Sequence, residues 1–207
     1  MEKKFLAAIA VVAWFALIGQ FYLQFNSGVA PKAELLVRFF SYFTIQSNLL
    51  IAIASTSVSL FSNTIFGEFF NKHTTKTALT VYILVVALVY NVVLRFLWTF
   101  TGWGALVNEL LHVVVPLLFL IYWCSFVVKR FLKWSNLWWW LCYPLVYCIV
   151  VMLRGNYSGF YPYPFLNIDK LGLQNVLVNC LAVTALFAIL SILFIAIGKW
   201  QAKNVGR

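Results

Sequence analysis

Six runs of mostly apolar residues divide the chain, near Phe5 to Phe25, Phe39 to Phe61, Ala78 to Trp98, Leu106 to Val128, Leu137 to Leu153 and Gly172 to Ile197. At 1.5 Å per residue, about 20 residues of helix cross a hydrocarbon core of about 30 Å. The pattern therefore predicts an all-α, multipass membrane protein: one domain, residues 1–207, built as a bundle of six transmembrane helices. The fifth run is the shortest, and its start is marked by Trp134, Trp138, Trp139 and Trp140, rings of the kind that settle at the headgroup boundary. The first run follows MEKK and has the look of a signal peptide. It continues past signal-core length into QFYLQF, so a retained helix is preferred.

Composition sharpens this picture. Hydrophobic residues make up 64% of the chain and charged residues 10%, and the mean hydropathy is +0.93, well away from the balance of soluble domains. Basic residues outnumber acidic ones by 15 to 5. In a soluble chain that excess would indicate a nucleic-acid partner; here the Lys and Arg sit in short segments between apolar runs, so we read them as topology. Counted by alternating sides, ten fall on one face, among them Lys3, Lys4, Lys72, Lys76, Lys129, Arg130 and Arg207, and five on the other. Both termini are then expected to be cytoplasmic. The non-cytoplasmic connections become Asn26 to Arg38, TFTGWGA, and RGNYSGFYPYPFLNIDK, the last stiffened by aromatic residues and proline into an expected ordered cap. The four cysteines (Cys124, Cys142, Cys148, Cys180) lie within apolar runs without CxxC spacing, which reads as small core residues and neither a disulfide framework nor a zinc site.

Polar residues inside spans are expensive, so their positions carry the information. On helix 2, Ser41, Thr44, Ser47 and Asn48 recur at three- and four-residue spacing; on helix 4, Asn108, Glu109, His112 and Pro116 do likewise, with Pro116 expected to kink the helix and free a carbonyl. Counted along each helix, Thr44 and His112 both lie roughly 8 to 9 Å below the outer boundary. Asn91 and Arg95 on helix 3 and Arg154 at the end of helix 5 fall in the same outer layer, and all are expected around one polar chamber. A hydroxyl becomes a nucleophile when a base takes its proton, and histidine is the usual base near neutral pH. Thr44 and His112 are the candidates. The only other histidine, His73, lies on the opposite side, and no metal motif or glycine-rich phosphate loop is present, so no metal or other cofactor is assigned. Ordinary structural roles exist for each: Thr44, Ser47 and Asn48 as helix-packing groups, His112 as interhelical glue, Arg95 with Glu109 as an ion pair.

FTIQSNLL, LLHVVVPLLFL and YPYPFLN resemble segments of the bacterial six-helix membrane proteins with proline signatures. Those are similar to the androgen-induced-gene-one and androgen-dependent membrane hydrolases of animals. The resemblance implies a threonine in helix 2, here Thr44, and a histidine in helix 4, here His112, as an active pair that cleaves esters of fatty acids with hydroxy fatty acids. Asn108 matches the asparagine that opens the helix 4 motif. Around Thr44 the sequence follows the bacterial branch.

The resulting expectation is a lipid ester hydrolase drawing its substrate from the bilayer, with Thr44 as nucleophile and His112 as base. Asn48 or Asn91 would supply oxyanion hydrogen bonds, Arg95 or Arg154 would hold a lipid carboxylate, and Asn108 or Glu109 would orient His112. The alternatives are a transporter or channel using the same polar groups, and a non-enzymatic lipid-binding scaffold. Few polar residues are expected in the inner halves of the spans, which weighs against a through-path.

Overall fold

The computed structural model describes residues 1–205; Arg207, counted above among the basic residues of one face, lies outside them. The fold is all-α, and six helices are long and apolar enough to cross a membrane: Glu2–Phe25, Phe43–Leu60, His73–Leu94, Gly102–Phe126, Asn136–Ser158 and Ile168–Lys203. The chain forms two compact units, Met1–Phe131 and a second from Leu132 onward, each with its own core.

In the first unit, helix α1 (Glu2–Phe25) is joined by a short helix α2 (Lys32–Ser41) to α3 (Phe43–Leu60), and α4 (Ile65–Asn71) leads into α5 (His73–Val89). A π-helical turn, Tyr90–Leu94, ends that span. The fourth span is interrupted: α6 (Gly102–Glu109), a second π turn (Leu110–Val114), then α7 (Val115–Phe126). The spans pack as a closed ring, α1 on α3, α3 on α5, α5 on α7 and α7 back on α1. Small residues make the closest approaches, since Ala13 and Ala16 of α1 and Ala52 of α3 are completely buried and let the backbones meet. Trp14 adds an interhelical hydrogen bond, donating from Nε1 to Thr56 Oγ1 at 3.1 Å.

Three expectations change here. The outer connection is itself largely helical: α2 buries Leu35 and Phe39, and Arg38 pairs with Glu34 across one turn at 2.8 Å. Ser41 belongs to α2 and bonds back to Val37 O, because the extended backbone at Tyr42 (ψ 126°) breaks the helix before Phe43. Ser41 therefore drops out of the row made by Thr44, Ser47 and Asn48, which are all buried in α3. Third, Lys76 is no loop charge. It lies in the first turns of α5, buried, and its Nζ donates to Glu2 at 2.9 Å and to Asn71 at 2.7 Å. Glu2 also accepts from the buried Tyr122 hydroxyl at 2.7 Å, and Trp123 Nε1 donates to Thr77 Oγ1 at 2.9 Å. The end of this unit opposite Thr44 is thus a second polar layer, where the sequence led us to expect almost none.

In the second unit, α8 (Asn136–Ser158) packs on α9 (Ile168–Val205), with a 3₁₀ turn at Pro164–Leu166. At 23 residues α8 outlasts the 18 of α3, so the fifth span is not the shortest. Gly172, at φ 75°, interrupts α9 and sets the start of its long straight stretch. The YPYPF segment is ordered as expected, and its role is local: Tyr161 and Leu166 pack with Val151 of α8 and Val176 of α9. Gly155 makes room for this. A Cβ there would lie 2.1 Å from the Tyr161 ring. Replacing Gly155 with Ala is expected to expel that ring and destabilise the protein by about 1–3 kcal/mol, read as a lowered midpoint of thermal unfolding in detergent; an unchanged midpoint would contradict this packing.

Candidate active site

The site is built around a backbone gap. Val115 N–H donates to Leu110 O, five residues back, so this span enters Pro116 in π register. Pro116 has no N–H. In π register it leaves Leu111 O without a partner, and in α register His112 O. Two side chains from neighbouring helices fill both places. Asn48 Nδ2 of α3 donates to Leu111 O at 3.2 Å, and Asn91 Nδ2, in the facing π turn, donates to His112 O at 3.4 Å. Each amide also bonds its own helix, Asn48 to Thr44 O at 2.9 Å and Asn91 to Ala87 O at 2.8 Å. The freed carbonyl expected from Pro116 is therefore real, and it becomes two interhelical ties. Neither amide retains a hydrogen for an oxyanion, which corrects the role expected for Asn48 and Asn91.

His112 is held from two sides. Its Nδ1 lies 2.9 Å from Asn108 O; a carbonyl can only accept, so Nδ1 carries the proton and Nε2 keeps the lone pair. The backbone of Asn108 orients the ring, whereas its side chain donates to the Tyr90 hydroxyl. Tyr90 in turn stacks on the imidazole, with ring centroids 3.8 Å apart and planes inclined by 22°. Sequence reasoning missed Tyr90, because one aromatic residue among so many carries no distinguishing pattern.

Glu109 does not orient His112. Its carboxylate takes both ends of the Arg95 fork, at 2.6 and 2.9 Å, while Arg95 Nε donates to Asn91 Oδ1 at 2.8 Å. Hydrogen bonding to Glu109 raises the pKa of Arg95 above its ordinary value, and its guanidinium also lies 5.2 Å from the Tyr90 ring centre. Arg95, expected to grip a lipid carboxylate, thus grips an internal one. The alternative reading of this couple as an ion pair tying helix 3 to helix 4 is the one found.

Thr44 is buried in the first turn of α3. The nitrogen of Asn48 bonds both the Thr44 carbonyl and the carbonyl of Leu111, the residue before His112, so the backbones of the expected nucleophile and base are joined through one amide. Counted within each helix, Thr44 is roughly 2 Å from the start of its span and His112 roughly 15 Å from the start of its own. What brings the two segments together is the lateral bond. Arg154 belongs to the second unit, where its guanidinium carbon lies 4.8 Å from the Phe160 ring centre.

Fold and polar layer together define a class: an all-α, multipass integral membrane protein with a histidine-bearing polar network in one half of its first unit. Comparison with protein-family models, with curated proteins and with solved structures gave no match.

The backbone gap yields a coupling that can be measured. Asn48→Ala is expected to cost about 1–2 kcal/mol. In a Pro116→Ala background, which restores an N–H for one of the two carbonyls, that cost should shrink by at least about 0.5 kcal/mol. Strict additivity of the two substitutions in thermal unfolding would show that Asn48 does not serve the proline gap.

Proposed function

We propose that the chain is a threonine-type hydrolase of lipid esters that works within the membrane, on substrates of the type formed by a fatty acid with a hydroxy fatty acid, drawn laterally from the bilayer at the non-cytoplasmic leaflet. The reading rests chiefly on the tautomer of His112. With Nδ1–H held by Asn108 O, Nε2 is the basic nitrogen, and the Tyr90 stack fixes the plane in which its lone pair points.

Thr44 Oγ attacks the ester carbonyl carbon while His112 Nε2 takes the hydroxyl proton. The imidazolium that forms keeps its Nδ1–H on Asn108 O and then returns the Nε2 proton to the departing alkoxide. That leaves an acyl-threonine and a free hydroxy lipid. Water, deprotonated by the same Nε2, attacks the acyl-threonine, releases the fatty acid and restores Thr44. A second lipid hydroxyl in place of water would give acyl transfer with the same two groups. Asn48, Asn91 and Pro116 act as positioning residues, since they fix the π turn that carries His112 against the start of α3.

Purified Thr44→Ala and His112→Ala should each lose ester cleavage by on the order of 10³-fold or more while keeping the wild-type elution profile and unfolding midpoint. Tyr90→Leu should lower kcat more than it raises KM. Undiminished turnover in either Thr44→Ala or His112→Ala contradicts the mechanism.

One observation favours a second reading, a transporter. The layer of Glu2, Lys76 and Tyr122 at the other end of the same four spans supplies polar groups that a through-path needs. Proton or solute flux into proteoliposomes that persists in Thr44→Ala and falls in Glu2→Gln would support that reading over hydrolysis; absence of flux in active, ester-cleaving protein would dismiss it.

A further inference from the structure

Two sulfur atoms outside the site face each other. Cys148 of α8 and Cys180 of α9 lie with Sγ atoms 3.4 Å apart, a contact across 32 residues of sequence. Both are thiols and both are half-buried. Cys180 packs against the cluster of Val151, Tyr161, Leu166 and Val176 that joins these helices. The two positions also agree in height. Cys180 lies roughly 12 Å beyond Gly172, where the straight part of α9 begins, and Cys148 roughly 15 Å before Ser158, the end of α8. Cys148 is therefore at mid-span on α8 and Cys180 about a third of the way along the last span, both within apolar stretches long enough to lie in hydrocarbon.

We propose that Cys148 and Cys180 form an oxidative modification site, closing to an interhelical disulfide when a lipid-soluble hydroperoxide reaches them. A disulfide needs its sulfurs at about 2.05 Å, so the pair must draw together by little more than 1 Å, a shift within reach of χ1 adjustment on helices already in contact. Charge favours a disulfide over a bound monovalent ion at this depth. Two thiols and one disulfide are all neutral, whereas a metal dithiolate of a monovalent ion places net charge in the bilayer interior. The oxidant follows from the same location, because a hydroperoxide on an acyl chain partitions where the thiols are.

The reaction has two steps. One thiol sulfur attacks the distal oxygen of the hydroperoxide, the O–O bond breaks, and a sulfenic acid and a lipid alcohol form. The second thiol then displaces hydroxide from the sulfenic sulfur, giving the disulfide and one water. Two thiols and one hydroperoxide become one disulfide, one alcohol and one water; the peroxide oxygen is reduced and the sulfurs are oxidised by two electrons. A thiol reductant reverses the closure.

The test uses the full chain in detergent with Cys124→Ser and Cys142→Ser, so that only this pair carries thiols. Treatment with cumene hydroperoxide should lower the cysteine mass by two hydrogens, abolish maleimide alkylation at both positions, and yield one peptide pair linked through Cys148 and Cys180. Dithiothreitol should restore both alkylations, and Cys180→Ser should leave Cys148 open to over-oxidation. Sulfinic acid on separate cysteines, a covalent dimer, or two thiols still alkylated after treatment would each overturn the proposal.

Discussion

A proline without its amide hydrogen is the constraint from which the first unit takes its form. Pro116 withdraws one donor from the fourth span, and inside hydrocarbon an unpaired carbonyl costs several kcal/mol. The donors come instead from two asparagines on other helices, Asn48 and Asn91, each of which bonds its own helix and the interrupted one at once. A local defect becomes the tie among three spans. The π turn at Leu110–Val114 can persist because its carbonyls are satisfied from outside the helix. The arrangement leaves Asn48 Oδ1 buried without a hydrogen-bond partner among the described residues, and carbonyls on two sides require its nitrogen to point as it does.

The same economy decides which polar groups remain available for chemistry. Glu109 and Arg95 satisfy each other, Asn91 satisfies a carbonyl and the Arg95 Nε, and Asn108 satisfies Tyr90 through its side chain and His112 through its carbonyl. Among the groups of this network, His112 keeps the lone pair of Nε2, beside the unpaired Asn48 Oδ1 and Ser47 Oγ. An imidazole kept as one tautomer and stacked on a tyrosine, within a turn whose Leu111 carbonyl shares the Asn48 amide with the Thr44 carbonyl, is a poor choice for packing alone, since an aliphatic side chain would fill the place without needing a proton acceptor nearby. The Glu2, Lys76 and Tyr122 layer at the other end reads differently. Its charges are fully engaged with one another, as expected of a tie that fastens the start of α1 to α5 and α7.

Spans were legible because a length of apolar residues is a direct physical requirement of the bilayer, and all six runs became helices. Which residues would gather was legible in part: Asn48, Asn91, Arg95, Asn108 and Glu109 of spans 2, 3 and 4 do join one network, whereas Ser41 bonds within α2 and Ser47 Oγ is buried unpaired. Roles were less legible. Asn48 and Asn91 read as oxyanion donors while the carbonyls exposed by Pro116 were considered apart from them; pairing the freed carbonyls with the nearest amides would have found the bonds. Lys76 read as topology because charge counting assigns every lysine near a span end to a loop, and nothing local signals that Glu2, 74 residues away, receives it. Tyr90 was invisible for the same reason: its partner His112 lies on another helix. Likewise the meeting of Cys148 and Cys180 depends on the register of α8 against α9, which no spacing within either helix specifies.

The central claim is that the Thr44 hydroxyl is made nucleophilic by His112. Labelling of the intact protein with a fluorophosphonate probe, followed by mass-spectrometric mapping of the adduct, tests it most directly. The account predicts one adduct, on Thr44, lost in His112→Ala. An adduct on another residue, or labelling of Thr44 that is unaffected by removal of the imidazole, would contradict it.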